Sequence, residues 1–332
     1  MQPLISIILP AYNSQATLSR AIDSVSRQRF PNWELIIVND GSTDNTLQIA
    51  EKFAYQDERI RVISQPNRGR SAARNAGLRA ACAGYISFLD ADDTYFPNTL
   101  QDLYDVLSST KSDLVIGEIH GHKRYKKNLL QNVHYTGKNL VSSLLNLSKN
   151  QIIFNSVWNK LFRTDIIRHN DISFPSDLEM GEDLVFVLRY ILHISSYCTC
   201  AQAIYNYTCN PQSITHSTYE KRFIDRHHLA ANLWISFYKR WGLPLAPVYA
   251  SLFNYRMFGC AQLGVISNFT LLNQVVKDTF ADEQICYFAS QLKHTSYDNL
   301  FAKLIRHKQI KLWTFFAWCL GITKRVKKVI IS

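Results

Sequence analysis

The first third of the chain alternates short apolar runs with amphipathic segments of helical period, and this alternation constrains the fold more than any other feature. Leu4–Leu9, Leu35–Val38, Arg61–Ile63, Tyr85–Leu89 and Leu114–Ile116 are short, rich in β-branched residues and bounded by turn formers, so they read as buried strands. Between them Ser14–Arg27, Thr43–Phe53, Ser71–Ala81 and Asn98–Leu107 read as helices, with Asn13 or Ser14, Ser42 or Thr43, and Asn98 as their capping residues. Strands that alternate with helices need crossover connections, which build a mostly parallel sheet with helices on its faces. The expected class is therefore α/β.

From about Gly117 to Thr215 the pattern is mixed, with one helix near Lys138–Leu147 and another beginning near Glu182. Beyond Tyr219 only helical patterns remain. They cover Arg222–Trp241, Val248–Ile266 and Leu271–Phe280, with an interruption at Gly242-Leu243-Pro244. The chain thus divides on sequence into residues 1–117, 118–217 and a helical C-terminal region, 218–332.

With 332 residues, 47% hydrophobic and 19% charged, the composition is globular rather than disordered. The N-terminus has no basic leader, and seven cysteines without paired CxxC spacing point to a reduced, cytoplasmic setting. No run reaches the ~18 to 20 apolar residues of a membrane-spanning helix. The net charge of 37 − 26 = +11 is partly clustered at Lys123–Lys127 and Lys324–Lys328, which suits a phosphorylated ligand or an anionic membrane. No nucleic-acid recognition motif accompanies it, so no nucleic-acid partner is expected.

In an open parallel sheet, ligands sit beyond the carboxyl ends of the strands. Strand one runs into Pro10-Ala11-Tyr12-Asn13, strand two into Asn39-Asp40-Gly41-Ser42-Thr43-Asp44, and strand four into Asp90-Ala91-Asp92-Asp93. Carboxylates gathered on one edge repel unless a cation neutralises them. Asp90-x-Asp92 is therefore a candidate site for Mg²⁺ or Mn²⁺, whose hard oxygen ligands include phosphates. The same acids would also serve to cap the helix that starts near Asn98.

These elements together resemble the inverting glycosyltransferases of family 2, of the GT-A fold and the bacterial surface-polysaccharide type. The resemblance runs from Ser6–Asn13 through Trp33–Asp44, Asn67-Arg68-Gly69, Ala73–Gly77 and Tyr85–Asp93. It continues with Trp158–Arg163, Gly181–Phe186 and Ser213-Ile214-Thr215, in the family's order. It implies a Rossmann-like sheet flanked by helices, with a nucleotide-sugar-binding half followed by an acceptor-binding half.

It also implies roles for particular residues. Pro10 and Tyr12 would hold the nucleobase, Asp40 would accept its ring N–H and so favour uracil, and Asn67 would assist. Arg74 would approach the donor diphosphate. Asp92 first, and Asp90 second, would hold Mn²⁺ or Mg²⁺, with Asp90 also in the nucleotide-sugar site and Asp93 capping or orienting. Asp183 would be the general base, with Glu182 as the alternative, although both acids also suit the start of a helix. Trp158 and Lys160 would shape the acceptor pocket, with core packing an equal reading for the tryptophan.

Two departures limit the resemblance. Asn39 stands where many members have another acid. Phe237 stands at the glutamine position of the processive Gln-x-x-Arg-Trp motif, so transfer of one sugar per encounter is expected. The segment Ile310–Ile331 combines aromatic, aliphatic and basic residues, as a peripheral helix on the inner face of the cytoplasmic membrane would, beside a saccharide or lipid-linked acceptor. Packing of that segment on the protein itself is the alternative. A dinucleotide oxidoreductase is disfavoured because no G-x-G-x-x-G follows strand one. The remaining alternatives are an inactive nucleotide-sugar-binding protein and a sugar nucleotidyltransferase. The latter would bring a glycine-rich phosphate loop after strand one, and Pro10–Asn13 is not one.

Overall fold

The computed structural model describes residues 2–121, 130–178, 181–208 and 222–250, then 252, 277, 281–293, 303 and 305–307. The chain divides into two compact units, Met1–Ser217 and Thr218–Ser332.

The first unit is built on one nine-stranded sheet. Its strands are β1 (Ile5–Ala11), β2 (Trp33–Asp40), β3 (Ile60–Gln65), β4 (Tyr85–Phe88), β5 (Thr94–Tyr95), β6 (Leu114–His120), β7 (Val133–Thr136), β8 (Lys160–Arg163) and β9 (Ser196–Asn206). They lie in the order β3-β2-β1-β4-β8-β6-β9-β5, with β7 on β9. The four strands β3, β2, β1 and β4 are all parallel, as the alternation demands. Beyond them the sheet is mixed: β8 is antiparallel to both β4 and β6, while β6 and β9 run parallel.

Helices α1 (Leu18–Ser26), α2 (Thr46–Gln56), α3 (Arg70–Ala80) and α4 (Thr99–Thr110) follow the first strands. Then come α5 (Gly137–Leu147), α6 (Gln151–Asn155), α7 (Thr164–His169) and α8 (Glu182–Ile191). The expected helix starts at Ser14 and Thr43 move to Leu18 and Thr46. Asn13, Ser42 and Thr43, among the residues expected to cap those helices, bond across between the two loops instead. Asn98 does precede α4, but its side chain makes no capping hydrogen bond.

Ile5, Ile7, Ile8 and Leu9 of β1 and Leu35–Val38 of β2 are completely buried, as central strands covered on both faces must be. Each such side chain contributes on the order of 1.5–3 kcal/mol through removal from water. Helix α3 lies close on this sheet because it carries Gly77 there: a Cβ at that position would stand 2.4 Å from Ile8 Cγ2. That close approach fixes where Arg74, one turn earlier, enters the protein.

The second unit contains α9 (Arg222–Arg240), a helical stretch at 245–250 and α10 (Glu283–Gln291). Its core includes Ala231, Val248, Ile285, Phe288 and Leu292. The helices expected at Val248–Ile266 and Leu271–Phe280 lie almost entirely outside the described residues. So do the clusters Lys123–Lys127 and Lys324–Lys328, the segment Ile310–Ile331 and Ser213-Ile214-Thr215. Among the described residues no helix is long and apolar enough to cross a membrane.

Candidate active site

The carboxyl ends of β1, β2 and β3 are joined by their loops. Asn13, in the left-handed region at φ 47, donates its N–H to Ser42 Oγ (3.1 Å) and accepts from Thr43 N through Oδ1 (2.9 Å). Ser14 N donates to Thr46 Oγ1 (2.7 Å), and Gln15 N to Asp44 Oδ2 (3.1 Å). These bonds take up the side chains of Asn13 and Ser42, two of those expected to cap α1 and α2. Asn39, the departure from the family acid, accepts from Ser42 N (3.2 Å) and donates to Ser64 Oγ (2.9 Å), so it ties its own turn to β3.

Gly41, at φ 71, closes the next contact. A Cβ there would stand 2.5 Å from the backbone nitrogen of Asn67, so the β2 and β3 loops meet only because this residue has no side chain. Asp40 is buried and holds the same loop, accepting from Gln65 Nε2 (2.7 Å), Arg68 N (3.0 Å) and Gly69 N (2.8 Å). Tyr12 stands beside these loops with half its surface exposed (50%). Pro10 lies one turn of pleat beyond Ile8, where the pairing of β1 with β4 has ended, so its missing N–H breaks no ladder bond. Pro10, Tyr12, Asp40 and Asn67 are thus brought to one end of the sheet.

The second part of the site centres on Arg74, which is completely buried. Its Nη1 donates to Asp183 Oδ1 (2.7 Å) and Glu182 Oε1 (3.0 Å), and its Nη2 to Asp90 Oδ1 (2.9 Å). The guanidinium carbon lies 5.3 Å from the centroid of Phe174. Three surrounding carboxylates keep this guanidinium firmly protonated despite its burial. Arg74 is therefore enclosed by acids instead of being presented to an open cleft. It joins the turn after β4 to the N-terminus of α8, elements that are far apart in sequence.

The two acids of α8 differ in setting. Glu182 is 4% exposed and held by both Arg74 and Arg70 (3.3 Å), whereas the Asp183 side chain is 21% exposed. Burial raises the Asp183 carboxyl to about 7. Arg74 opposes that rise, and the negative charges of Glu182 and Asp90 add to it. Asp183 thus combines reach toward solvent with a proton affinity raised toward neutrality.

The acidic turn itself is closed by a bond from Asp93 N to Asp90 O (3.1 Å), and Arg20 Nη2 donates to the Asp92 carbonyl (2.8 Å). Asp93 is almost fully buried, and burial with the nearby charge of Asp90 pushes its carboxyl up to about 8. Among the described residues no three His, Cys, Asp or Glu side chains form a ready-made metal cage. Asp90 and Asp92 offer hard carboxylate oxygens on one turn, and Arg74 engages only Oδ1 of Asp90. Mg²⁺-like ions are commonly held by one or two carboxylates and complete their shell from phosphate and water, so the donor set fits such an ion.

Trp158 and Lys160 both lie inside the protein. Trp158 stacks on Tyr205 with centroids 4.3 Å apart and an interplanar angle of 23°. The Lys160 ammonium donates to Ile153 O (2.6 Å), Asn159 Oδ1 (2.8 Å) and Ser156 O. Burial lowers the Lys160 amine to about 7, against the opposing charge of Asp183. Trp158 is thus on the core side of the two readings the sequence left open, and Lys160, expected at the acceptor pocket, is completely buried in the core. Tyr205, absent from the sequence reading, contacts the acidic turn directly; it sits in β9, whose mixed composition gave no strand signal. A cleft of about 800 Å³ opens at the other end of β4, beside Tyr85, Lys111 and Arg163, and contains none of the expected site residues.

Comparison with known proteins identifies the family and the fold. The model of the family described as "Glycosyl transferase family 2" matches residues 6–170. The glycosyltransferase EpsJ of Bacillus subtilis (strain 168), itself described as uncharacterized, is 32% identical over 248 residues, covering 73% of this chain and 72% of EpsJ. The crystal structure of Staphylococcus aureus TarS residues 1–349 with UDP-GlcNAc superposes with a TM-score of 0.74 at 22% identity, covering 98% of this chain and 92% of that one. The Pyrobaculum calidifontis mannosyltransferase PcManGT, solved with GDP-Man and Mn²⁺, aligns over 99% of this chain and 88% of its own at 15% identity, with a TM-score of 0.51. The sheet with its flanking helices is the GT-A fold, and the chain belongs to glycosyltransferase family 2.

Proposed function

We propose that this glycosyltransferase moves one sugar per encounter from a uridine diphosphate sugar to a saccharide or lipid-linked saccharide, with inversion at the anomeric carbon. Asp183 takes the proton of the acceptor hydroxyl as that oxygen attacks. The bond from the anomeric carbon to the phosphate oxygen breaks on the opposite face, and the nucleoside diphosphate leaves. The observation that carries this reading is the bridge through Arg74, which places the acidic turn and the Asp183 carboxylate in one cluster.

The other residues support it. Tyr12 offers a half-exposed ring for stacking the base. Asp40 already accepts three hydrogen bonds, and a carboxylate has room for about four, so one position remains for the ring N–H of uracil. Asn67 lies against Gly41 beside it. Asp92 and Asp90 would hold a divalent cation, which when bound supplies positive charge to the departing diphosphate. In this reading Arg74 acts on the donor mainly by ordering the carboxylates. Glu182 fixes the start of α8, and Lys160 braces the acceptor-side strand β8 from within. The segment Ile310–Ile331 has the composition to hold the enzyme at an anionic membrane surface, where lipid-linked acceptors of surface-polysaccharide assembly reside.

Thermal-shift titration with UDP and GDP, each with and without Mn²⁺, tests the donor half of this reading. UDP with Mn²⁺ should raise the melting temperature by several degrees, and Asp92→Ala should remove the effect. Stronger stabilisation by GDP would contradict the uracil assignment. A folded protein that responds to neither nucleotide would overturn the reading.

A further inference from the structure

We propose that Tyr205 is a positioning residue for the donor site: its hydroxyl clasps both ends of the Asp90–Asp93 turn and sets where Asp90 and Asp92 stand. This inference rests on the reading of that turn as the donor phosphate and cation site.

The Tyr205 hydroxyl donates to Asp93 Oδ2 (2.7 Å) and accepts from the backbone N–H of Asp90 (3.2 Å), so one oxygen bridges the first and last residues of the turn. Asp93 also accepts from Thr208 N (2.7 Å) through its other oxygen. Arg20 adds a second tie, reaching the Asp92 carbonyl (2.8 Å) and Thr208 Oγ1 (3.3 Å) from α1. The turn is therefore fastened to the end of β9 at its beginning, middle and end.

The strand end is itself held rigidly. Tyr205 is completely buried, pairs with Tyr95 across the β5–β9 ladder, and lies stacked against Trp158 at 4.3 Å. Phenylalanine would fill the same space against both rings. A hydroxyl buried among aromatic rings is costly unless it is bonded, and the bonds this one makes go to the acidic turn. Sub-ångström placement of carboxylates governs how well they share a cation or a diphosphate with a ligand, so loosening the clasp should register in donor affinity before it registers in folding.

The test is isothermal titration of UDP in the presence of Mn²⁺ into the full chain, its Tyr205→Phe variant and its Tyr95→Phe variant. Tyr95 is the control, because its hydroxyl is equally buried in the same aromatic cluster but bonds Ser87 Oγ and Phe88 O (both 2.8 Å) instead of the turn. Tyr205→Phe should weaken UDP binding about tenfold, the scale of one lost buried hydrogen bond, while Tyr95→Phe stays within about twofold. Equal affinity in Tyr205→Phe, or an equal loss in both variants, would overturn the positioning role and leave the donor-site reading intact. Failure of the wild-type chain to bind UDP would overturn both. Should Tyr205→Phe fail to fold, Asp93→Asn carries the same expectation of weakened binding, and unaltered affinity there would overturn the proposal.

Discussion

Arg74 and Asp183 are separated by 109 residues in sequence and by 2.7 Å in space. The same guanidinium reaches Asp90 at 2.9 Å, so one buried cation fixes the distance between the turn proposed to face the donor phosphates and the carboxylate proposed to deprotonate the acceptor. An inverting transfer needs those two groups on opposite sides of one carbon, and a rigid brace between them is a direct way to keep that geometry.

Replacing that brace should separate folding from chemistry. Arg74→Met leaves Asp90, Glu182 and Asp183 without their shared cation, and unfolding in urea should show a loss of about 3–5 kcal/mol. Arg74→Lys keeps the charge, but a single nitrogen cannot reproduce a fork that serves three carboxylates. It should fold, with UDP release from the donor slowed about 10²-fold.

The pH profile follows from Asp183. Its carboxyl is raised from 3.8 to about 7, and a base works in its ionised form, so kcat/KM should fall about tenfold per unit below pH 7 and level off above it. Stability should move the other way. A raised acid keeps its proton in the folded chain after the unfolded chain has lost it, so this group's contribution declines as pH rises from about 4 to about 7. Urea unfolding of wild type and Asp183→Asn at pH 5 and pH 8 measures it: the wild type should lose more stability between the two than the variant does.

Lys160 should prove structural. Its ammonium serves Ile153 O, Ser156 O and Asn159 Oδ1, and Lys160→Met would remove a donor from each of these oxygens, two of them buried. A loss of roughly 2–4 kcal/mol in urea unfolding is expected. UDP affinity with Mn²⁺ should stay close to wild type under conditions where the variant remains folded.

Gly41→Ala should act on the nucleotide end. The new methyl would meet the Asn67 backbone at 2.5 Å, and φ 71 is unfavourable for alanine. The β2 and β3 loops would have to part, at a cost of about 1–3 kcal/mol in stability. Weaker UDP binding, measured by the same titration, should accompany it.

β1 and β2 were legible because fully buried parallel strands are written as continuous β-branched runs. The acidic turn stood out because it directly follows a clear strand, whereas the Glu182-Asp183 pair was singled out only by the resemblance to the family. The second half was hidden by its chemistry. β5 has only two residues, β8 opens on a buried lysine, and β9 (Ser-Tyr-Cys-Thr-Cys-Ala-Gln-Ala-Ile-Tyr-Asn) shifts register against β6, so no period of two survives. The burial of Arg74 could not be read at all. An arginine on a helix looks like a surface residue until its partners, 16, 108 and 109 positions away, are brought beside it.

The most direct test of the central claim is to measure UDP binding and UDP release together in wild type and Asp183→Asn, using a panel of UDP-sugars with Mn²⁺ and saccharide acceptors. Wild type should release UDP, and Asp183→Asn should bind UDP with wild-type affinity while its release falls by ~10² or more. A variant that releases UDP as fast as wild type would contradict the assignment of Asp183 as the base.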